Sequence, residues 1–369
     1  MNIVRLVDHF PSSKEIGYGL EPTFYNLSLE QARLGLNVHI ICKGYPQKRF
    51  EEEGICIHRV MVPYNLLMFY ELLKLNRHAK VDLVHTHATS GFMYAILKWF
   101  LRGKWGKIGH VAHVHGTTKG IFSAWSKISP DVLSEETIRQ RVRRRVSIMR
   151  ETVMWRGADA LIANSRFLRE ELVNLYGIPR EKIYVVYNGV DLRTFYPRKS
   201  RRRVFKSLGL DLRSHVILYL GGFRPVKGPI YVMRALEKVH GKFKDIKVLF
   251  VGGRHQLDRY HDTVMMKSIN GLREKGAMQV IENVPHVQLP EYYSAADAVI
   301  VSSIYDAFPK VVLESMACGT PVIASNVGGI PELVRNGETG ILTEPANSDE
   351  LAEAIIKVTS DSDLRERLV

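Results

Sequence analysis

The feature that most constrains this chain is an alternation of two patterns. Short, almost wholly apolar runs rich in Val and Ile take turns with longer segments of helical period. In the first half the apolar runs fall at 2–8, 38–42, 55–62, 82–87, 108–115, 160–164 and 183–187, with helical segments such as 23–34 and 66–79 between them. Strands that are apolar on both faces and separated by helices predict a parallel sheet covered on both sides. The alternation stops at NGVDLRTFYPRKSRRR, a polar and basic stretch, then restarts with HVILYLGG, KVLFVGG, MQVIE, DAVIVSS and PVIAS. The expected fold is therefore α/β, with two Rossmann-like, doubly wound parallel-sheet domains at residues 1–190 and 204–369 and a linker at 191–203. Such sheets bind ligands at the carboxyl ends of their strands, so a cleft between the domains is the expected site.

Composition narrows the setting. An apolar fraction of 46% and a charged fraction of 24% suit a soluble globular chain. The three cysteines, Cys42, Cys56 and Cys318, are odd in number and contain no C-x-x-C pair. That argues against a disulfide framework or a thiolate zinc site and points to a reducing, cytoplasmic location. Residues after Met1 read at once as a strand, so no secretory leader is expected. The best membrane candidate, FMYAILKWFL at 92–101, has about half of the roughly 20 apolar residues that a span needs. A net charge of +14 fits a polyanionic partner or simple colloidal solubility.

The richest segment is SSIYDAFPKVVLESMACGTPVIASNVGGIPELV at 302–334. A strand ends at DAVIVSS, a loop follows, and Pro309 suits the first position of a helix that stops at Gly319. The amides at that helix start, with Lys310 beside them, form an expected anion site. Glu314 lies one turn in, and Asp306 lies eight residues earlier. Taken alone these would be an exposed helix carboxylate and a turn residue. Together they suit a ligand with both phosphate and vicinal hydroxyls, because carboxylates accept paired hydrogen bonds from diols.

This segment resembles the signature of the retaining glycosyltransferases of family 4, where two Glu eight positions apart flank such a helix start. The resemblance continues through GTPVIAS and GGIPE, and takes in HG at 115–116 and NGVD at 188–191. It implies the GT-B architecture, a nucleotide-sugar donor as substrate rather than cofactor, no cofactor, and no metal. Glu314 then holds the nucleotide ribose and Asp306 the donor sugar, with Phe308, Pro309, Lys310 and Val311 between them as donor contacts. Asp in place of the family's first Glu shortens the carboxylate's reach by one methylene. Members of the family also continue past the point where this chain stops, with a helix that returns to the first domain.

Other segments fit the same reading. In LYLGGFRPVKG, Arg224 and Lys227 precede a helix starting near Pro229, and two cations there would stabilise a departing diphosphate. The family's Arg stands five residues before the Lys, where this chain has Gly222. Gly17 and Gly19 fit the family's glycine-rich loop after the first strand, although a lone G-x-G is a weak signal. His115 corresponds to a His that contacts the donor sugar. The pairs His85/His87 and His113/His115 each share a strand face, which makes a metal site conceivable. No carboxylate sits at matching spacing, so the expectation is none. In TIRQRVRRRVSIMRETV, Ile138, Val142, Val146, Met149 and Val153 form a stripe with arginines away from it. The expected role is packing on its own domain; the alternative is peripheral docking on anionic membrane to reach a lipid-linked acceptor.

The expected activity is retaining transfer from a UDP- or GDP-linked sugar to a glycan, lipid-linked or small-molecule acceptor, with nucleic acid an unlikely partner. Rival readings are a nucleotide-sugar epimerase, a phosphorylase, and a non-catalytic sugar-nucleotide or polyanion binder. A dinucleotide dehydrogenase lacks its fingerprint here, since no G-x-G-x-x-G follows the first strand.

Overall fold

The computed structural model describes residues 1–10, 21–45, 48–61, 64–88, 90–100, 107–128, 137–252, 263–282 and 284–369. The first sheet has eight strands: β1 (Asn2–Val7), β2 (Asn37–Lys43), β3 (Lys48–Glu52), β4 (Ile55–Val60), β5 (Leu83–His87), β6 (Gly109–Val114), β7 (Ala160–Ala163) and β8 (Ile183–Val185). Their order is β3-β4-β2-β1-β5-β6-β7-β8, and every pairing is parallel except β3 with β4. That exception is a hairpin whose turn residues, Glu53 and Gly54, both have positive φ, 50° and 78°. Such a turn matches the twist of antiparallel strands. β3 reads KRFEE and lies at the sheet edge, where charged side chains blunt pairing with other chains.

The second sheet holds β9 (His215–Leu220), β10 (Ile246–Val251), β11 (Met278–Ile281), β12 (Ala298–Val301), β13 (Val322–Ser325) and β14 (Ile341–Thr343). All its pairings are parallel, in the order β11-β10-β9-β12-β13-β14. The direction of winding reverses between β9 and β12, which makes that crevice the topological switch point. In the first sheet the reversal falls between β1 and β5.

Both faces of each sheet are covered. In the second, Ile217, Tyr219, Val248 and Ile300 pack under Val232, Leu236 and Val239 of the helix Pro229–Lys242 and Leu351, Ile355 and Val358 of the helix Ser348–Ser360. Leu218, Leu249 and Val299 face the other way, against Tyr293 and Val312. Alternate strand residues thus enter different cores, which is why these strands read as continuous apolar runs. In the first sheet, Val4, Leu6 and Ile41 meet Met68, Leu72 and Leu75, and Val7, Ile40 and Cys42 meet Phe24 and Tyr25. The three cysteines are free thiols. Among the described residues no helix is long and apolar enough to cross a membrane.

The chain forms two compact units: Met1–Ser123 with Asp131–Tyr187, and Ala124–Pro130 with Asn188–Val369. The segment 191–203 packs on the second unit. Phe195 is buried against His286 and Tyr293, and Ser200 donates to the Glu291 carbonyl at 2.7 Å. Its arginines begin a helix, Arg201–Ser207, and Arg201 bonds Asp297 at 3.1 Å.

The helix Ile138–Gly157 departs from expectation. It opens on a capping box, with Thr137 and Gln140 each satisfying the other's backbone amide. The stripe of Ile138, Val142, Val146, Met149 and Val153 is 37–80% exposed instead of packed on its own domain. The helix docks through its opposite side, where Trp155 meets Tyr176 edge-on at 4.7 Å and Glu151 accepts from Tyr176 and from Thr118. One large aromatic and one hydrogen-bonded carboxylate supply the contact that the apolar stripe was expected to make.

Candidate functional site

The second switch point is where sequence-predicted residues converge. After β9 the chain turns at Gly221 and Gly222, and the buried Tyr219 hydroxyl donates to the carbonyls of Gly222 and Lys227 at 3.2 and 3.1 Å. A short 3-10 turn, Pro225–Lys227, leads to Gly228 at φ 66°. A Cβ at Gly228 would lie 2.1 Å from the Ser302 carbonyl oxygen, so only glycine allows this approach. Ser302 closes the seam by donating to the Lys227 and Gly228 carbonyls, both at 3.0 Å. The loops after β9 and β12 are thereby held side by side.

That seam brings Lys227 and Asp306 together. The Lys227 ammonium donates to Asp306 Oδ2 at 2.5 Å, and Ser303 lies 3.4 Å from the same oxygen. The backbone of Asp306 is fixed by the second glycine loop: the Gly329 amide donates to its carbonyl at 3.0 Å. Gly328, at φ 60°, passes so close that a Cβ would lie 1.9 Å from that carbonyl oxygen.

The helix Lys310–Ala317 starts one residue later than the sequence suggests, with the buried Pro309 as its flanking residue and no side chain capping its amides. First-turn amides lack intrahelical partners, so this start is a natural anion site. Glu314 is 5% exposed and accepts from the Tyr293 hydroxyl at 2.8 Å, with His286 Nε2 at 3.3 Å from its other oxygen. Burial alone would raise its pKa, but His286, Lys310 and Tyr293 outweigh burial and hold the carboxyl below its usual range. Glu314 is thus a buried carboxylate that stays ionised at neutral pH. Burial lowers the Lys310 ammonium, with Glu314 pulling the other way. Phe308 is buried and Val311 half-buried.

Other predicted residues stand apart. Arg224 is exposed and has no ion-pair partner among the described residues. Gly17 and Gly19 lie outside the described residues. His115 belongs to the first unit, just past β6, with Nε2 3.0 Å from His87 Nδ1. Burial pushes its imidazole down to about 4, so the ring is neutral at physiological pH. Sequence reasoning missed His286 and Tyr293, which stand 28 and 21 residues before Glu314 with no local spacing to mark them. It also missed Ser302 and Ser303, although both stand in the quoted segment.

Two α/β domains built on largely parallel sheets, with an uncapped helix start at the second switch point, fit the GT-B class of protein. Residues 18–194 match the family described as Glycosyltransferase Family 4, and residues 200–369 match Glycosyl transferases group 1. The chain belongs to the glycosyltransferases of family 4. A D-inositol 3-phosphate glycosyltransferase of Actinosynnema mirum is 34% identical over 297 residues, covering 78% of this chain and 66% of the relative. The chain thus spans about two thirds or less of the length of such relatives. Among solved structures, sucrose-phosphate synthase from Thermosynechococcus elongatus superposes with a TM-score of 0.77 at 22% identity, covering 100% of this chain and 92% of that one. The Anabaena protein HepE in complex with UDP-glucose gives 0.75 at 20% identity, with the same coverage. Both likenesses concern the fold.

Proposed function

We propose that the chain is a retaining glycosyltransferase that moves a sugar from a UDP- or GDP-linked donor to a glycan, lipid-linked or small-molecule acceptor. The observation that carries this reading is the Lys227–Asp306 pair beside an ionised, buried Glu314 at one switch point. Each oxygen of Glu314 has one protein partner and a lone pair to spare, so the carboxylate can still take ribose hydroxyls. Lys227, the exposed Arg224 and the first-turn amides meet the diphosphate. Phe308, Pro309, Lys310 and Val311 line the same turn.

In this reading the bond between the anomeric carbon and the diphosphate oxygen breaks through an oxocarbenium-like transition state. Lys227, Arg224 and the helix start stabilise charge on the leaving diphosphate, where fixed donors count most. The acceptor hydroxyl attacks from the face the diphosphate leaves, and its proton passes to the departing phosphate oxygen. Asp306 orients the sugar, and His115 is retained as a sugar contact by family resemblance. The protein's own cations meet the developing charge, so the reading assigns no metal or cofactor to the transfer. That HepE was solved with UDP-glucose favours UDP as the nucleotide. The relatives' D-inositol 3-phosphate favours a small polyol among acceptors.

The exposed stripe on Ile138–Gly157 supports peripheral contact with anionic membrane. By helical period, the exposed Arg139 and Arg143 flank it on one side and Arg141 and Arg145 on the other, opposite the packed face, while Arg150 stacks on Phe92 of its own domain. An apolar strip between two rows of cations fits an interfacial helix.

The direct test is incubation with α-linked UDP- and GDP-sugars and a panel of acceptors, with proton NMR of the product. An α-linked product with release of the nucleoside diphosphate is expected. Interconverted donor without transfer would instead favour an epimerase. Salt-dependent DNA binding without donor binding would favour a polyanion binder.

A further inference from the structure

One face of the first sheet carries an unusual set of imidazoles. His85 and His87 alternate along β5, so they project to the same side, and the β5–β6 ladder pairs His87 with His113. The ring centres of His85 and His87 are 4.4 Å apart, those of His87 and His113 5.1 Å, and those of His85 and His113 5.7 Å. Each of the three offers a ring nitrogen, and these atoms all lie within 4.8 Å of one another. The residues are 4, 2 and 5% exposed. Among the described residues, His85 Nε2, His87 Nε2 and both nitrogens of His113 have no hydrogen-bond partner. Buried polar atoms are ordinarily paired, and unpaired ones cost stability. Several on three adjacent rings call for a ligand.

We propose that His85, His87 and His113 form a three-histidine site for a divalent transition ion of the zinc type. Three imidazoles with a fourth position left to water are a sufficient ligand set, so the missing carboxylate is no obstacle. Metal ligation needs neutral imidazole, and burial with Arg5 and the neighbouring histidines keeps all three rings far below their ordinary pKa. His115 Nε2 meets His87 Nδ1 at 3.0 Å, which can fix the His87 tautomer with Nε2 turned to the ion.

Arg5 sets the limit on affinity. It shares the row through its pairing with His85, and its guanidinium approaches His85 Nδ1 at 3.4 Å. A guanidinium only donates, so the neutral His85 ring carries its proton on Nε2; for Nε2 to take the ion that proton must move to Nδ1, which gives up the Arg5 contact. The Arg5 charge also repels a cation. An ion high in the Irving–Williams order, zinc or copper(II), is therefore required, whereas magnesium and calcium are excluded by an all-nitrogen set. The site does not depend on the proposed transfer and would stand if the chain moved no sugar.

The test uses the full chain, stripped with chelator and titrated with zinc against a chromogenic competitor. One equivalent is expected, with cobalt(II) giving the visible absorption of a tetrahedral nitrogen site. His85→Gln and His113→Gln should each weaken binding by at least about tenfold. His39→Gln, in the separate pair with His58 at 3.4 Å, should leave it unchanged. If the ligand variants fail to fold, ring-nitrogen NMR of the wild type decides: zinc should move three histidine signals. No saturable binding, unmoved ring signals, or unchanged affinity in folded His85→Gln and His113→Gln chains would overturn the site.

Discussion

The two switch points handle burial of ionisable groups in opposite ways. Beside β1 and β5 the chain buries imidazoles and keeps them neutral, with several ring nitrogens unpaired among the described residues and the neighbouring Arg5 pushed down to about 9 by burial. Beside β9 and β12 it buries a carboxylate and keeps it charged, by surrounding Glu314 with His286, Tyr293 and Lys310. The desolvation penalty is common to both, and only the response differs. Neutralisation leaves polar atoms that suit an ion needing lone pairs. Pairing leaves fixed charges that suit a diphosphate and a diol. Two sheets of one architecture are thus prepared for different chemistry by what their loops and facing helices supply.

The largest effect should follow Lys227→Met, which removes the cation proposed to face the leaving group and takes the ammonium from Asp306. We expect turnover to fall roughly 10²–10³-fold, the usual loss for one preorganised donor, read as kcat with KM measured separately. A fall confined to KM would reduce Lys227 to a ground-state contact.

The next prediction concerns pH. His110 is fully buried, and burial lowers its pKa from 6.5 to about 4. Between those values the unfolded chain holds a proton that the folded chain does not. Its contribution is therefore complete above about 6.5 and is lost as pH falls toward 4, on the order of 3 kcal/mol in all. His39 and His58, lowered mainly by burial, act in the same direction. Glu314, depressed below 4.5, contributes in full above that value and loses its share only below it. Hydrogen exchange at pH 5 against pH 7.5, corrected for intrinsic rates and run in chelator, should show β5 and β6 losing protection while β9 and β12 keep it. Earlier opening of β9 and β12 would show that the buried imidazoles of the first sheet do not set its acid sensitivity.

Gly328→Ala should cost about 2 kcal/mol, from positive φ and a Cβ driven into the Asp306 carbonyl. Denaturant unfolding reads the stability. Because the clash moves the Asp306 loop, nucleotide affinity should fall with it. The smallest change is expected for Val146→Ser on the exposed stripe, within about 0.5 kcal/mol of wild type. Sedimentation with phosphatidylglycerol vesicles should nonetheless weaken, with little binding to neutral vesicles by either protein. Equal vesicle binding by both would leave the stripe without a membrane role.

Much of the fold was legible because strands buried on both faces advertise themselves. β9, β10, β12 and β13 are all but solid apolar runs. β3 was not legible, since an edge strand reading KRFEE has neither apolar alternation nor an obvious turn before Glu53-Gly54. β14 has only three residues. The site was half legible. Lys227, Asp306 and Glu314 stand in local motifs, and the glycines beside them mark close backbone approaches. His286 and Tyr293 reach Glu314 only through tertiary packing, so nothing in the spacing could announce them. The stripe on Ile138–Gly157 misled because helical period reveals that a face is apolar without saying what covers it.

If Glu314 receives the nucleotide, calorimetric binding of UDP, GDP and ADP to the wild type and to Glu314→Gln will separate the two proteins, with circular dichroism to confirm that both are folded. Selective binding of one nucleotide by the wild type is expected, with a loss of at least about a hundredfold, roughly 2.7 kcal/mol, in the variant. Equal affinity in the two folded proteins would contradict that role for Glu314.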